Sequence, residues 1–147
     1  LRTFSKAYGL AGLRVGYAMA QPDAIDLLNK VRQPFNVTAM AQAAALAALD
    51  DEDYLIRSRK MLRDGRAQLM DGLRRLGLDP VESVTNFILF PFEKAGELTA
   101  ALTKRKVIVR PMAGFGLPRH IRVSVGLESE NAQFLEALKK ALAELPA

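Results

Sequence analysis

Thr3-Phe4-Ser5-Lys6-Ala7-Tyr8-Gly9-Leu10-Ala11-Gly12-Leu13-Arg14-Val15-Gly16-Tyr17 is the stretch from which the rest of the chain can be read. One lysine sits among hydroxyls and small residues in a glycine-containing segment that reads as a functional loop. An arginine follows eight positions later, at the start of an apolar alternation. Lysine amines condense with carbonyls to form Schiff bases. Arginine offers a planar, permanently charged fork that fits phosphate oxygens, and serine or threonine hydroxyls can donate to the same anion. Small neighbours leave room for a flat ring, so an aldehyde cofactor carrying a phosphate would engage every one of these groups. By spacing alone, a lysine in such a setting is ordinarily a solvated surface charge, and that reading stays open. Gly9, Gly12 and Gly16 form neither a dinucleotide fingerprint nor a phosphate-binding P-loop.

Outward from this stretch the chain alternates strand and helix patterns. Leu13 to Ala20 reads as a strand, with Val15, Tyr17 and Met19 alternating with smaller residues. Pro22 and Asp23 open a helix that runs to about Arg32, and Pro34 ends it. Thr38 to Leu49 is mostly alanine, the best helix former. Asp50 and Asp51 are N-cap candidates for a long helix reaching Leu76, with Gly77 as its C-cap. Beyond it, Phe87–Phe90, Val107–Val109 and Ile121–Val125 read as strands, and Glu93–Lys104 and Glu128–Leu145 as helices. Strands interleaved with helices predict an α/β fold. The expected division is residues 1–40, carrying the lysine stretch, and residues 41–147, a small α/β domain.

Composition narrows the function classes. The chain has 147 residues, 50% hydrophobic and 25% charged, which is ordinary globular composition. The net charge of +5 comes from arginines and lysines interspersed with acids and apolar residues between Arg57 and Arg75, the pattern of a solvated helix face and not of a nucleic-acid-binding tract. With no cysteine, disulfides and thiolate ligation are excluded. A single histidine, His120, excludes a multi-histidine metal site and is expected to be exposed. No run is long and apolar enough for a membrane span, so a cytoplasmic protein that uses neither membrane nor nucleic acid is expected. The chain opens at Leu1 directly on the informative stretch and reads as a fragment.

The Thr3–Tyr17 string resembles the cofactor-lysine signature of the class-II pyridoxal-phosphate aminotransferases, of fold type I: Thr3, Phe4, Ser5, Lys6, Ala7, Tyr8, Gly9 and Gly12 match it at every position. Leu13-Arg14-Val15-Gly16-Tyr17 is similar to the phosphate-binding arginine on its strand in that family. Pro34-Phe35-Asn36-Val37 looks like the interdomain segment, and Thr85–Phe90 like the entry to the small-domain sheet. Val107–Pro111, Gly116-Leu117-Pro118, Ile121–Gly126 and Glu130–Leu138 resemble the histidinol-phosphate aminotransferases within it. The similarity covers essentially the whole chain.

That resemblance implies a C-terminal portion of such an enzyme. Lys6 would carry pyridoxal 5′-phosphate and act as the general acid and base, while Arg14, Ser5 and Thr3 would hold the cofactor phosphate. Arg122, assisted by Arg110, would bind the anionic end of the substrates, histidinol phosphate and the 2-oxoglutarate/glutamate pair. The enzyme would be a homodimer of histidine biosynthesis. On the bland side, Arg110 could be a strand-edge arginine in a surface ion pair, Asn86 a turn cap, and Tyr8 and Tyr17 packing residues. The family chain is more than twice this long, so the fragment is expected to hold half a site and to be inactive alone, with Leu13–Met19 lacking strand neighbours. Related aromatic-amino-acid aminotransferases, threonine-phosphate decarboxylases and a purely structural dimerisation fragment are the alternative readings.

Overall fold

A computed structural model describes residues 1–145. Two compact units result: Leu1–Arg59, and a second from Lys60 onward, so the division falls inside a helix.

In the first unit, β1 (Arg2–Thr3) pairs antiparallel with β2 (Gly16–Tyr17), Thr3 opposite Gly16. A β-carbon on Gly16 would lie 2.6 Å from the carbonyl oxygen of Arg2, so this close pairing requires glycine. The strand expected over Leu13–Ala20 is reduced to these two residues. Ala11–Leu13 form a 3₁₀ turn and Arg14 adopts a left-handed backbone (φ 52°, ψ 49°), which breaks extension before Val15. Beyond Tyr17, Ala18–Ala20 have no ladder partner among the described residues. Helix α1 (Pro22–Val31) begins at proline, as the sequence implies, yet buries no residue: Leu27, Leu28 and Val31 are exposed. Helix α2 (Ala39–Asp50) is capped by Thr38, whose hydroxyl accepts from the Ala41 amide at 3.1 Å. Its Ala41 and Ala45, one turn apart, join Phe4 and Val15 in a small core. Methyl side chains let the helix backbone come close to that core.

Helix α3 (Glu52–Arg75) starts where Asp51 accepts from the Tyr54 amide at 2.9 Å. It ends before Gly77, whose φ of +77° supplies the left-handed residue of a C-cap. On its surface, the hydrogen bond from Lys60 Nζ to Asp64 Oδ2 (2.6 Å) is the main cause holding the Asp64 carboxyl below the usual carboxylate range.

In the second unit, β3 (Phe87–Pro91), β4 (Arg110–Pro111) and β5 (His120–Ser124) form an antiparallel sheet in the order β3-β5-β4. Alternation decides which face is inside. Ile88, Phe90, Ile121 and Val123 are buried, while Leu89 and Arg122, paired in register, belong to the other face. Helices α4 (Ala95–Lys104) and α5 (Glu128–Glu144) and the second half of α3 bring Leu98, Leu102, Phe134, Leu138, Leu69 and Leu73 to that same core. The α/β expectation therefore holds.

The strand expected at Val107–Val109 is displaced: pairing with β5 begins only at Arg110. Val107 still closes the end of α4 by donating to Leu102 O at 3.0 Å, and Lys106 turns the chain with φ 61°. Among the described residues, no helix is long and apolar enough to cross a membrane.

Candidate functional site

Lys6 lies on a short loop closed by two backbone hydrogen bonds, Gly9 N–H to Lys6 O (2.9 Å) and Leu10 N–H to Phe4 O (3.0 Å). Phe4, buried, stacks obliquely on Tyr8 with ring centres 4.8 Å apart, and the Tyr17 ring centre lies 6.1 Å from that of Phe4. Tyr8 is half-buried, whereas Tyr17 stays 47% exposed and lines the same concavity as Arg14. Gly9 takes φ +69° with the Tyr54 hydroxyl directly against it, so a side chain at this turn would be both strained and obstructed. The loop is thus held from below while the Lys6 side chain stands exposed, with no hydrogen-bond or ion-pair partner among the described residues.

Three of the residues picked from the sequence converge beside it. Arg14 Nη1 donates to Ala11 O at 2.8 Å and to Ser5 Oγ at 3.5 Å. The Ser5 amide donates to Thr3 Oγ1 at 3.1 Å. Arg14 meets no carboxylate among the described residues, and its left-handed backbone costs a non-glycine residue about 1–2 kcal/mol. A guanidinium beside a hydroxyl and without an acid has the chemistry to accept an anion from outside. Thr3, Ser5, Arg14 and Gly16 line an open concavity of about 460 Å³. Lys6 is its neighbour along the chain and not part of its lining.

The second unit carries the other pair. Arg110 and Arg122 are register partners across β4 and β5, so their side chains leave the same face of the sheet. Arg122 is half-buried, with its guanidinium carbon 5.0 Å from the centre of the Phe87 ring, a cation–π contact. Neither arginine has an ion-pair or hydrogen-bond partner among the described residues, so the surface ion pair considered for Arg110 is not formed. Like charges placed opposite each other on a ladder repel, and an anion between them would relieve this. Both line a concavity of about 520 Å³ that also presents Ser124, Glu130 and Asn131.

Sequence reasoning passed over Phe87, Glu130 and Asn131. Phe87 shows its relation to Arg122 only through the register of β3 and β5. Asn131 carried a local signal: a polar residue in the apolar stripe of α5 that continues with Phe134 and Leu138. His120, expected to be exposed, is half-buried on β5, and its Nδ1 is buried with no hydrogen-bond partner. Strand β5 lies between two neighbours, and that covers a residue which reads as surface in the linear sequence.

The Lys6 loop with Arg14 beside Ser5 is followed along the chain by an antiparallel sheet on which Arg110 pairs with Arg122, and comparison with known proteins gives the class. Residues 1–138 match the model of the class I and II aminotransferases, and the chain belongs to that family. It is similar to histidinol-phosphate aminotransferase 1 of Nitrosococcus oceani (54% identical over 144 residues, 97% of this chain and 39% of that protein). Histidinol-phosphate aminotransferase 2 of Pseudomonas aeruginosa is 56% identical over 143 residues, again 97% and 39% of the two chains. Among solved structures, the histidinol-phosphate aminotransferase of Sinorhizobium meliloti in complex with pyridoxal-5′-phosphate superposes with a TM-score of 0.89 at 32% identity, over 98% of this chain and 41% of that one. The chain thus spans about two-fifths of the length of the relatives it matches.

Proposed function

We propose that this chain forms part of an aminotransferase that moves an amino group between L-histidinol phosphate and 2-oxoglutarate, with pyridoxal 5′-phosphate as cofactor. The observation that carries the reading is the convergence of the Arg14 guanidinium and the Ser5 hydroxyl, 3.5 Å apart, one residue from an unpartnered Lys6. Kinship with enzymes of that name at 54–56% identity supports the choice of substrate.

Pyridoxal phosphate, when bound, supplies an aldehyde that takes up the amino group and a ring that accepts electron density from the substrate α-carbon. Lys6 is the residue that attaches it, and its freed amine moves the proton at that α-carbon. Arg14 and Ser5 hold the phosphate, with Thr3 fixing the Ser5 backbone. Arg122 and Arg110 bind the anionic end of the substrate. A planar guanidinium accepts a phosphate or a carboxylate in the same fork, so one site serves both substrates in alternation. In this reading residues 1–40 belong to the cofactor-binding domain and 41–147 to the small domain of a cytoplasmic homodimer.

The test uses the full-length protein. Borohydride reduction in the presence of pyridoxal phosphate, followed by peptide mapping, should place the label on Lys6, and a label on any other lysine overturns the assignment. Turnover should favour histidinol phosphate over aromatic amino acids, and no decarboxylation of threonine phosphate should occur. A reversed preference would replace this substrate by one of those.

A further inference from the structure

Asn131 is the only buried polar side chain among the described residues, 2% exposed. A buried amide is costly unless its groups are bonded, and here both ends are. Its Oδ1 accepts from the Gly126 amide at 3.0 Å, and its Nδ2 donates to Gly126 O at 3.1 Å and to Gln68 Oε1 at 3.0 Å. Gln68 Nε2 in turn donates to Glu128 O at 3.0 Å. Gly126 lies between β5 and α5, where no ladder or helix would satisfy its backbone, and Asn131 takes both of its groups. Helix α3 presses on the same point: a β-carbon on Gly65 would stand 2.8 Å from Val125 Cγ1 and 2.9 Å from Asn131 Nδ2.

The consequence runs to Arg122. Val125 donates to Asn86 O at 2.9 Å, which ties the end of β5 to the residue before Phe87. The Phe87 ring is the surface over which the Arg122 guanidinium sits. Asn131 also lines the concavity that Arg110 and Arg122 share. We propose that Asn131 is a positioning residue, clamping the end of β5 so that Arg122 is held over Phe87 and aimed into that concavity. Its bearing on substrate rests on the reading that the two arginines take the substrate's anionic end.

The experiment follows the Arg122 Nε–Hε resonance in the full-length protein, assigned through Arg122→Lys. Asn131→Leu keeps about the volume and adds no charge to the concavity, but loses the acceptor and both donors. Gly65→Ala leaves Asn131 intact and pushes against it. Leu102→Ala, a core change elsewhere in the same unit, controls for lost stability. Both clamp variants should shift or split the Arg122 resonance while Leu102→Ala leaves it in place. Inorganic phosphate should move the resonance in the parent protein, with affinity about tenfold weaker in Asn131→Leu, the equivalent of one charge-assisted hydrogen bond misaligned. An Arg122 resonance identical to the parent's in both clamp variants overturns the positioning role. A parent chain whose Arg122 ignores phosphate overturns instead the anion-site reading beneath it.

Discussion

Arg14 concentrates the chemistry of the first unit in one residue. Its φ of 52° suits glycine, yet an arginine stands there, with its guanidinium turned to Ala11 O and Ser5 Oγ. Function and stability should therefore separate at this position. Arg14→Gly relieves about 1–2 kcal/mol of left-handed strain and adds about 0.5–1 kcal/mol of unfolded-chain entropy. Urea denaturation should show stability unchanged or raised by up to about 1.5 kcal/mol, the balance of those two effects. The full-length enzyme carrying the change should lose its hold on pyridoxal phosphate, measured as cofactor retained after gel filtration. A clear drop in stability would mean that Arg14 serves packing more than binding.

Among the elements, α2 owes its start to a single hydroxyl. Thr38 accepts from the Ala41 amide, and Ala41 is itself part of the small core with Phe4 and Val15. Thr38→Ala should cost about 1 kcal/mol, the usual loss of a threonine cap, and Thr38→Asp should recover most of it. Urea denaturation followed by helical circular dichroism is the measurement, and an Asp variant no better than Ala would remove capping as the cause. A threonine cap before an alanine run is a local pattern, but in the sequence Thr38 reads only as the start of that run, and the structure reveals the cap. The strands expected at Leu13–Ala20 and Val107–Val109 are shortened and displaced for a reason that is not local. β-Branched and alternating residues report suitability for a sheet, but a strand exists only where a neighbour offers hydrogen bonds. Here the neighbours are available only at Gly16–Tyr17 and at Arg110–Pro111.

At the scale of the molecule the two units differ in how much they bury. Among the described residues, four make the first core, and fifteen make the second. Stability should follow that division and not one cooperative transition. Amide hydrogen exchange should be slowest at Phe90, Leu98 and Ile121, and faster by orders of magnitude at Phe4 and Ala41. Leu98→Ala, which empties a fully buried position, should lower the protection of the second unit by about 2–5 kcal/mol and leave that of the first unchanged. Equal loss in both units would show that they unfold as one.

The sequence by itself determined which groups gather around Lys6, because they are local. The lysine, its small neighbours, the hydroxyls and Arg14 fall within fifteen consecutive residues, and a closed loop brings them together with little help from the rest of the chain. It also determined the α/β character, since helix and strand periodicities are short-range. Tertiary structure alone decided that Arg110 faces Arg122, that Phe87 underlies the second guanidinium, and that Asn131 clamps Gly126. Those relations depend on strand register and on the approach of α3 to β5, and both are set by which side chains fill the core between them.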